Sequence, residues 1–233
     1  MASTDSPEIS VIIPVLNESS GINSQLFHLS LIAQDARFDV LVVDGDPLGS
    51  TVDAIRDDRV QKHISAPGRA RQMNRGAAAA SGTILLFLHA DTILPLKAFS
   101  LIDAALKDSR VVAGAFDLGI DSPRMLFRIT ERYVALRTRL TRVPFGDQAI
   151  FVRRDYFERI GGFKDIPIME DVELMRRIKK QGNSIVIIPH KVLTSPRRWE
   201  KEGILYSTFR NWMMQVLYLF GVAPERIAKF YRS

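Results

Sequence analysis

In LLFLHADTILP (85–95), four apolar residues lead into His89 and Asp91. A carboxylate at the mouth of a buried strand is unfavourable unless it holds something, because a charge taken from water needs a partner. Two other apolar runs end in a similar way. EISVIIP (8–14) leads to Asn17 and Glu18, and FDVLVVD (38–44) closes on Asp44. Arg69, Arg71 and Arg75 gather at the start of a helical stretch. Carboxylates beside arginines suit a diphosphate. Mg²⁺ and Mn²⁺ bind through one or two carboxylates plus substrate phosphates, and guanidinium groups and helix N-termini take anions. A second acidic group, Glu170, Asp171 and Glu173 in MEDVEL, opens a helix. At helical spacing Asp171 shares a face with Met175 and Ile178, whereas Glu170 and Glu173 lie beside Arg177. That spacing turns Asp171 inward, where a carboxylate can serve as a general base.

The elements that must position these groups follow from the pattern. EISVIIP, FDVLVVD, VQKHIS (60–65) and TILLFL (83–88) read as strands, and ARQMNRGAAAASG (70–82) reads as a helix ending at Gly82. Strands alternating with helices imply right-handed crossovers and a parallel sheet. Continuous apolar runs imply that both faces are covered. Ligands of such sheets bind outside the carboxyl ends of the strands, which sets Asn17, Glu18, Asp44, His89 and Asp91 along one edge. In the second half, VVAGAFDLGI (111–120), QAIFVRR (148–154) and SIVIIP (184–189) read as strands. PRMLFRITERYVALRTRL (123–140) reads as a long basic helix and EDVELMRRIKKQG (170–182) as a capped one. No repeat, low-complexity linker or clean boundary divides the chain. The expectation is a single α/β domain over 1–233, Rossmann-like, with a mostly parallel central sheet flanked by helices and a C-terminal helical segment at 203–233.

Composition narrows the classes. The 233 residues are 46% hydrophobic and 25% charged, ordinary for a globular chain. The absence of cysteine excludes disulfides and thiolate metal sites. It fits a reducing compartment, and MASTDSPEIS lacks the basic and apolar regions of a secretory leader, so a cytoplasmic location is expected. A net charge of +6 suits phosphorylated molecules or an anionic surface. The P-loop pattern is absent, as is G-x-G-x-x-G after the first strand. No nucleic-acid motif appears and few aromatics interleave the basic residues, so no nucleic-acid partner is expected. GILYSTFRNWMMQVLYLFGV (203–222) carries Arg210, Asn211 and Gln215 near its middle. It is expected to be an amphipathic helix packed on its own domain, with room for peripheral membrane contact, rather than a membrane span.

Taken in order, SVIIPVLNE (10–18), VVDG (42–45), GRARQMNRGAAAASG (68–82) and LLFLHADT (85–92) resemble the nucleotide-sugar half of a family 2 glycosyltransferase of GT-A fold. PFGDQAIFVRRDYFERIGGF (144–163), IMEDVELMRRIKKQG (168–182) and SPRRW (195–199) resemble its acceptor half. The two halves run from about 9 to 95 and from about 96 to 200. The LHADT, GDQ, MEDVEL and RRW versions are similar to a small bacterial-type subfamily associated with radical-SAM or arsenosugar neighbours.

The resemblance implies roles. Pro14, Asn17, Glu18, Asp44 and Gly45 would hold the nucleoside, and Arg69 and Asn74 would lie by the base and phosphates. Asp91 matches the second acid of the family's D-x-D element and would hold a divalent metal, Mg²⁺ or Mn²⁺, on the diphosphate. His89 stands at the first acid's position, where an imidazole could ligate the metal or bond a hydroxyl. Asp171 would be the base, supported by Glu170. Gly146, Asp147 and Gln148 would line the acceptor side, and Arg197, Arg198 and Trp199 would bind diphosphate and sugar. The loop DGDPLGST (44–51) departs from the family's Asp-x-Gly-Ser-x-Asp-Gly-Thr, with Pro47 for its serine and Gly49 for its second acid. Ser195 replaces the glutamine of the processive Gln-x-x-Arg-Trp, so one sugar per event is expected. The implied activity is transfer from a nucleotide-diphosphate sugar to a small-molecule or lipid-linked acceptor, with inversion. The competing readings are a sugar-phosphate nucleotidyltransferase, whose Gly-rich loop PVLNESSG lacks, and a non-catalytic module for nucleotides or anionic lipid.

Overall fold

The computed structural model describes residues 7–33 and 36–232, so the first six residues of the N-terminal stretch lie outside it. The β-branched runs form β1 (Ile9–Val15) and β2 (Phe38–Asp44), with α1 (Ile22–Ile32) between them. β3 (Gln61–Ile64), α2 (Arg69–Ala79), β4 (Ile84–Phe87) and a two-residue β5 (Thr92–Ile93) complete the first half. The second half is α3 (Ala98–Leu106), β6 (Val111–Ile120), α4 (Met125–Thr141), a single turn Gly146–Gln148, β7 (Ile150–Arg153), α5 (Arg154–Arg159), α6 (Glu170–Lys180) and β8 (Ser184–Thr194). Three helices follow: α7 (Arg197–Glu202), α8 (Ile204–Leu219) and α9 (Pro224–Arg232).

One eight-stranded sheet runs through both halves in the order β3-β2-β1-β4-β7-β6-β8-β5. The β3-β2-β1-β4 block is parallel, as the alternation of strands and helices predicts. β7 and β5 run antiparallel to their neighbours, while β6 and β8 are again parallel, so the sheet as a whole is mixed. Pleating sends alternate residues to two cores. Val11, Ile13, Val42 and Leu86 pack with α1 and α3 on one face. Ile12, Leu41, Val43 and Leu85 pack with α2 and α6 on the other.

Two boundaries differ from the sequence expectation. The helix at 70–82 stops at Ala79, and Gly82 instead sits against β1, its N–H donating to Ser10 Oγ at 2.9 Å. β8 runs beyond SIVIIP to Thr194, because after an irregularity its second part pairs with Asp117–Ile120 of β6. The 203–222 segment becomes α8 and packs through Met214 on Met169 and Val172 beside α6, with Ile227 of α9. Arg210 is buried and pairs with Glu202. Among the described residues no helix is long and apolar enough to cross a membrane.

Candidate active site

The sheet order brings distant motifs to one edge. Val15 pairs with Asp44, and Asp44 with Ile64, so the first three strands end together. β4 ends beside them, and the antiparallel β7 begins there, Phe87 opposite Ile150. The turn before β7, Gly146–Gln148, therefore abuts the exit of β4. β8 finishes at the same edge and delivers the 195–199 segment, with the Ser195 N–H donating to the Asp91 carbonyl at 3.1 Å.

Gly146 lies at the centre. Its N–H donates to Asp171 Oδ2 at 2.6 Å, while Asp171 Oδ1 accepts the Val172 N–H at 2.7 Å. A Cβ on Gly146 would stand 2.9 Å from His89 Nε2 and 3.3 Å from Asp171 Oδ2. Only a residue without a side chain lets the β4 exit, the 146–148 turn and α6 approach this closely. His89 as a residue is half-buried, and its ring Nε2 is out of solvent and unpartnered. Burial, reinforced by Arg69 and Arg198, pushes its pKa down to about 3, so the imidazole is neutral at neutral pH.

The two acids of α6 exchange the environments that helical spacing suggests. Glu170 is the one turned into the protein, 3% exposed, and Asp171 is half-buried and open to the cleft. The reason is a second apolar neighbour: Glu170 stands one turn before Leu174, which is fully buried, and so turns inward, where Arg69 at the N-terminus of α2 lies 3.8 Å away. Burial, with Asp171 adding to it and Arg69 opposing, pushes Glu170 up to about 7.

Asp147 faces the same space. Its Oδ1 is out of solvent without a partner, and burial pushes its carboxyl up to about 6, with Arg137 opposing and Asp171 and Asp91 adding. Arg137 was not singled out by sequence reasoning. Its guanidinium lies over the Phe145 ring, 3.6 Å from the centroid, and reaches Gln148, Thr138 and Gln215. Within a helix crowded with arginines, nothing but the tertiary contacts distinguishes it.

Several predicted ligands are occupied elsewhere. Asp44 is fully buried, and its carboxylate accepts the N–H groups of Asp46, Thr51 and Val52 at 2.9, 2.8 and 3.2 Å. It shapes the 45–51 loop from within, its two oxygens committed to three backbone N–H groups. Asn74 both donates to and accepts from the backbone of Phe163, at 2.8 and 3.0 Å, so it pins α2 to the 162–163 turn instead of facing a base. Gln148 is fully buried, bonding Phe145 N–H and the Phe116 carbonyl, so it holds the turn from within rather than lining an acceptor site. Trp199 packs edge-on against Phe127 at 6.0 Å.

Pro14 sits half-buried in β1, and Gly45 lies close to the Gln72 side chain, which donates to the Val15 and Val43 carbonyls. Asn17 is exposed and left-handed, φ 59°, which asparagine tolerates better than most residues. Glu18 meets Arg197 at 3.5 Å, bringing the end of β1 to the start of α7. Arg198 lies 3.7 Å from Glu202.

Among the described residues no three His, Asp or Glu side chains gather into a metal cage. The donors at the β4 exit are Asp91 and the neutral, unpartnered His89 nitrogen. This short set fits a Mg²⁺ or Mn²⁺ that draws its remaining ligands from a diphosphate and water, the ordinary way such ions meet phosphorylated substrates.

The chain is 24% identical to the probable glycosyltransferase YdaM of Bacillus subtilis (strain 168), over 90% of its own length and 53% of that protein's, so it spans about half of that relative. Its fold matches the mannosyltransferase PcManGT from Pyrobaculum calidifontis in complex with GDP-Man and Mn²⁺, with a TM-score of 0.64 and 22% identity over 82% of this chain and 57% of that one. It also matches S. aureus TarS 1–349, with a TM-score of 0.59 and 17% identity over 90% and 65%. The fold is thus GT-A. The profile described as "Glycosyltransferase like family 2" matches residues 10–233, and the chain belongs to that family.

Proposed function

We propose that the protein is an inverting, metal-dependent glycosyltransferase that moves one sugar from a nucleotide-diphosphate donor to an acceptor hydroxyl. One observation carries the reading: Gly146, at the mouth of β4, holds the Asp171 carboxylate with its N–H and lies close against His89, which is within the electrostatic reach of Arg69. A base, a neutral imidazole and cations then surround one cleft.

Asp171 takes the proton of the acceptor hydroxyl as its oxygen bonds to the anomeric carbon and the bond to diphosphate breaks on the opposite face. Its Oδ2 is aimed by the Gly146 N–H, which removes the need to order it at the moment of reaction. The unpartnered Asp147 oxygen accepts from a sugar or acceptor hydroxyl, and Arg69 and Arg198 draw the departing phosphates. A bound Mg²⁺ or Mn²⁺, held by Asp91 and His89, would neutralise leaving-group charge. Ser195, at the position of the processive family's glutamine, bonds Arg197 and supports a single addition per encounter.

The Pyrobaculum enzyme is in complex with GDP-Man and Mn²⁺, so guanosine- and uridine-diphosphate sugars come first in a donor screen. Asp171→Asn keeps the shape and removes the acceptor of the proton. Its kcat should fall by about 10²–10⁴-fold while donor Kd stays nearly constant. If Glu170→Gln is the inactive enzyme and Asp171→Asn is active, the base is misassigned. Calorimetry of the nucleotide diphosphate with Mn²⁺ addresses Asp91. Asp91→Asn should lose the metal-dependent part of binding with the fold intact, and unchanged affinity would remove the metal role.

A further inference from the structure

We propose that the solvent face of α4 is a docking surface for an anionic lipid bilayer. α4 is inverted relative to an ordinary surface helix, which turns polar residues to water. Its inner side holds Phe127, Thr138 and its one acid, Glu131, which is 3% exposed and bonded to Arg128 and Lys191. Its outer side presents Met125, Leu126, Ile129, Tyr133, Leu136 and Leu140, between 42% and 73% exposed. The positions 125, 129, 133, 136 and 140 fall at helical spacing on one stripe, so the exposure is a continuous face and not scattered side chains. Such a face on a surface helix marks an interaction site.

The charges select the occupant. Arg124 and Arg132 are exposed, and neither forms an ion pair among the described residues. α4 exposes no acid of its own. A second copy set helix to helix against this face would bring arginine near arginine, with no exposed carboxylate on either α4 to offset them. A bilayer with anionic headgroups answers both features, with apolar side chains entering the acyl boundary and arginines meeting phosphates. The net charge of +6 favours the same partner. The 17-residue helix lies on such a surface and does not cross it.

The chain passes from the C-terminal end of α4 through 142–145 directly into Gly146. A docked α4 therefore sets the acceptor side of the cleft at the headgroup level. The corollary that the acceptor is lipid-linked rests on the transferase reading; the docking itself does not, because vesicle binding and nucleotide binding are read separately.

The test is co-sedimentation of the full chain with phosphatidylcholine vesicles, alone and mixed with phosphatidylglycerol. Binding to the mixed vesicles, weakened by salt, is expected. Ile129→Asp with Leu136→Asp should lower the partition coefficient by at least about tenfold. Arg124→Gln and Arg132→Gln should each lower it about fivefold on mixed vesicles only. Far-UV circular dichroism and nucleotide binding should be unchanged in all of these. The proposal is overturned if the wild-type chain ignores mixed vesicles, or if the α4 variants bind them as the wild type does. It is equally overturned if Phe209→Ser with Trp212→Ser on α8 abolishes binding that the α4 variants keep. A dimer broken by Ile129→Asp in a chain that does not sediment with vesicles would give the face to a second copy instead.

Discussion

Glu170 and Asp171 are adjacent in sequence and differ in what surrounds them, and this makes their effects separable. Glu170 is buried, with its pKa pushed up to about 7 from an ordinary 4.5. Below about pH 4.5 it carries its proton both folded and unfolded. Between 4.5 and 7 the unfolded chain releases the proton while the folded chain keeps it, so stability falls as pH rises, and above 7 the loss is complete. The penalty is on the order of a few kcal/mol. Glu170→Gln should therefore melt higher than the wild type at pH 8, with the advantage vanishing near pH 4. An equal difference at both pH values would show that Glu170 ionises freely. This contrast was not decided by the sequence, because both acids have an apolar partner one turn on, Leu174 for Glu170 and Met175 for Asp171, and spacing alone does not rank them. The same limit applies to Asp44, Asn74 and Gln148. Residue type marked each as important, but whether a polar side chain faces a ligand or its own backbone depends on loops folded from far along the chain.

At the scale of elements, α4 ends on Arg142 in a left-handed conformation, φ 57° and ψ 32°, with its N–H on the Thr138 carbonyl. Glycine is the residue that ordinarily fills this place. Left-handed backbone costs an ordinary residue about 1–2 kcal/mol, and the added freedom of glycine in the unfolded chain takes back about 0.5–1. Arg142→Gly should raise stability by about 0.5–1 kcal/mol, read as a higher denaturant midpoint with an unchanged m-value. A lower midpoint would mean that the arginine side chain holds more than the cap. The strong elements were legible: β1, β2, β6 and α6 lie within a residue or two of their predicted spans. β5 was not, since two residues have no periodicity. The extension of β8 was not either, since Pro189, His190 and Lys191 interrupt the apolar pattern that β6 nevertheless pairs across.

At the scale of the whole molecule, the class of fold and the edge on which polar groups gather could be read from strand order alone. Which strands neighbour one another in the second half could not, because pairing across long separations leaves no local signature. That pairing has a consequence. β7, from the second half of the chain, lies between β4 of the first half and β6. Neither half therefore possesses a finished sheet. Removing residues after 95 strips the bonding partner from β4, and removing those before 96 leaves β7 with one bare side. The halves differ in motif but share one sheet, so they are expected to unfold as a single cooperative unit. Thermal unfolding should proceed in one transition, with calorimetric and van't Hoff enthalpies in agreement. Two resolved transitions would show that the interleaved strands do not bind the halves together. A sheet stitched in this way has no hinge between its halves, so the two cannot swing apart as separate rigid bodies.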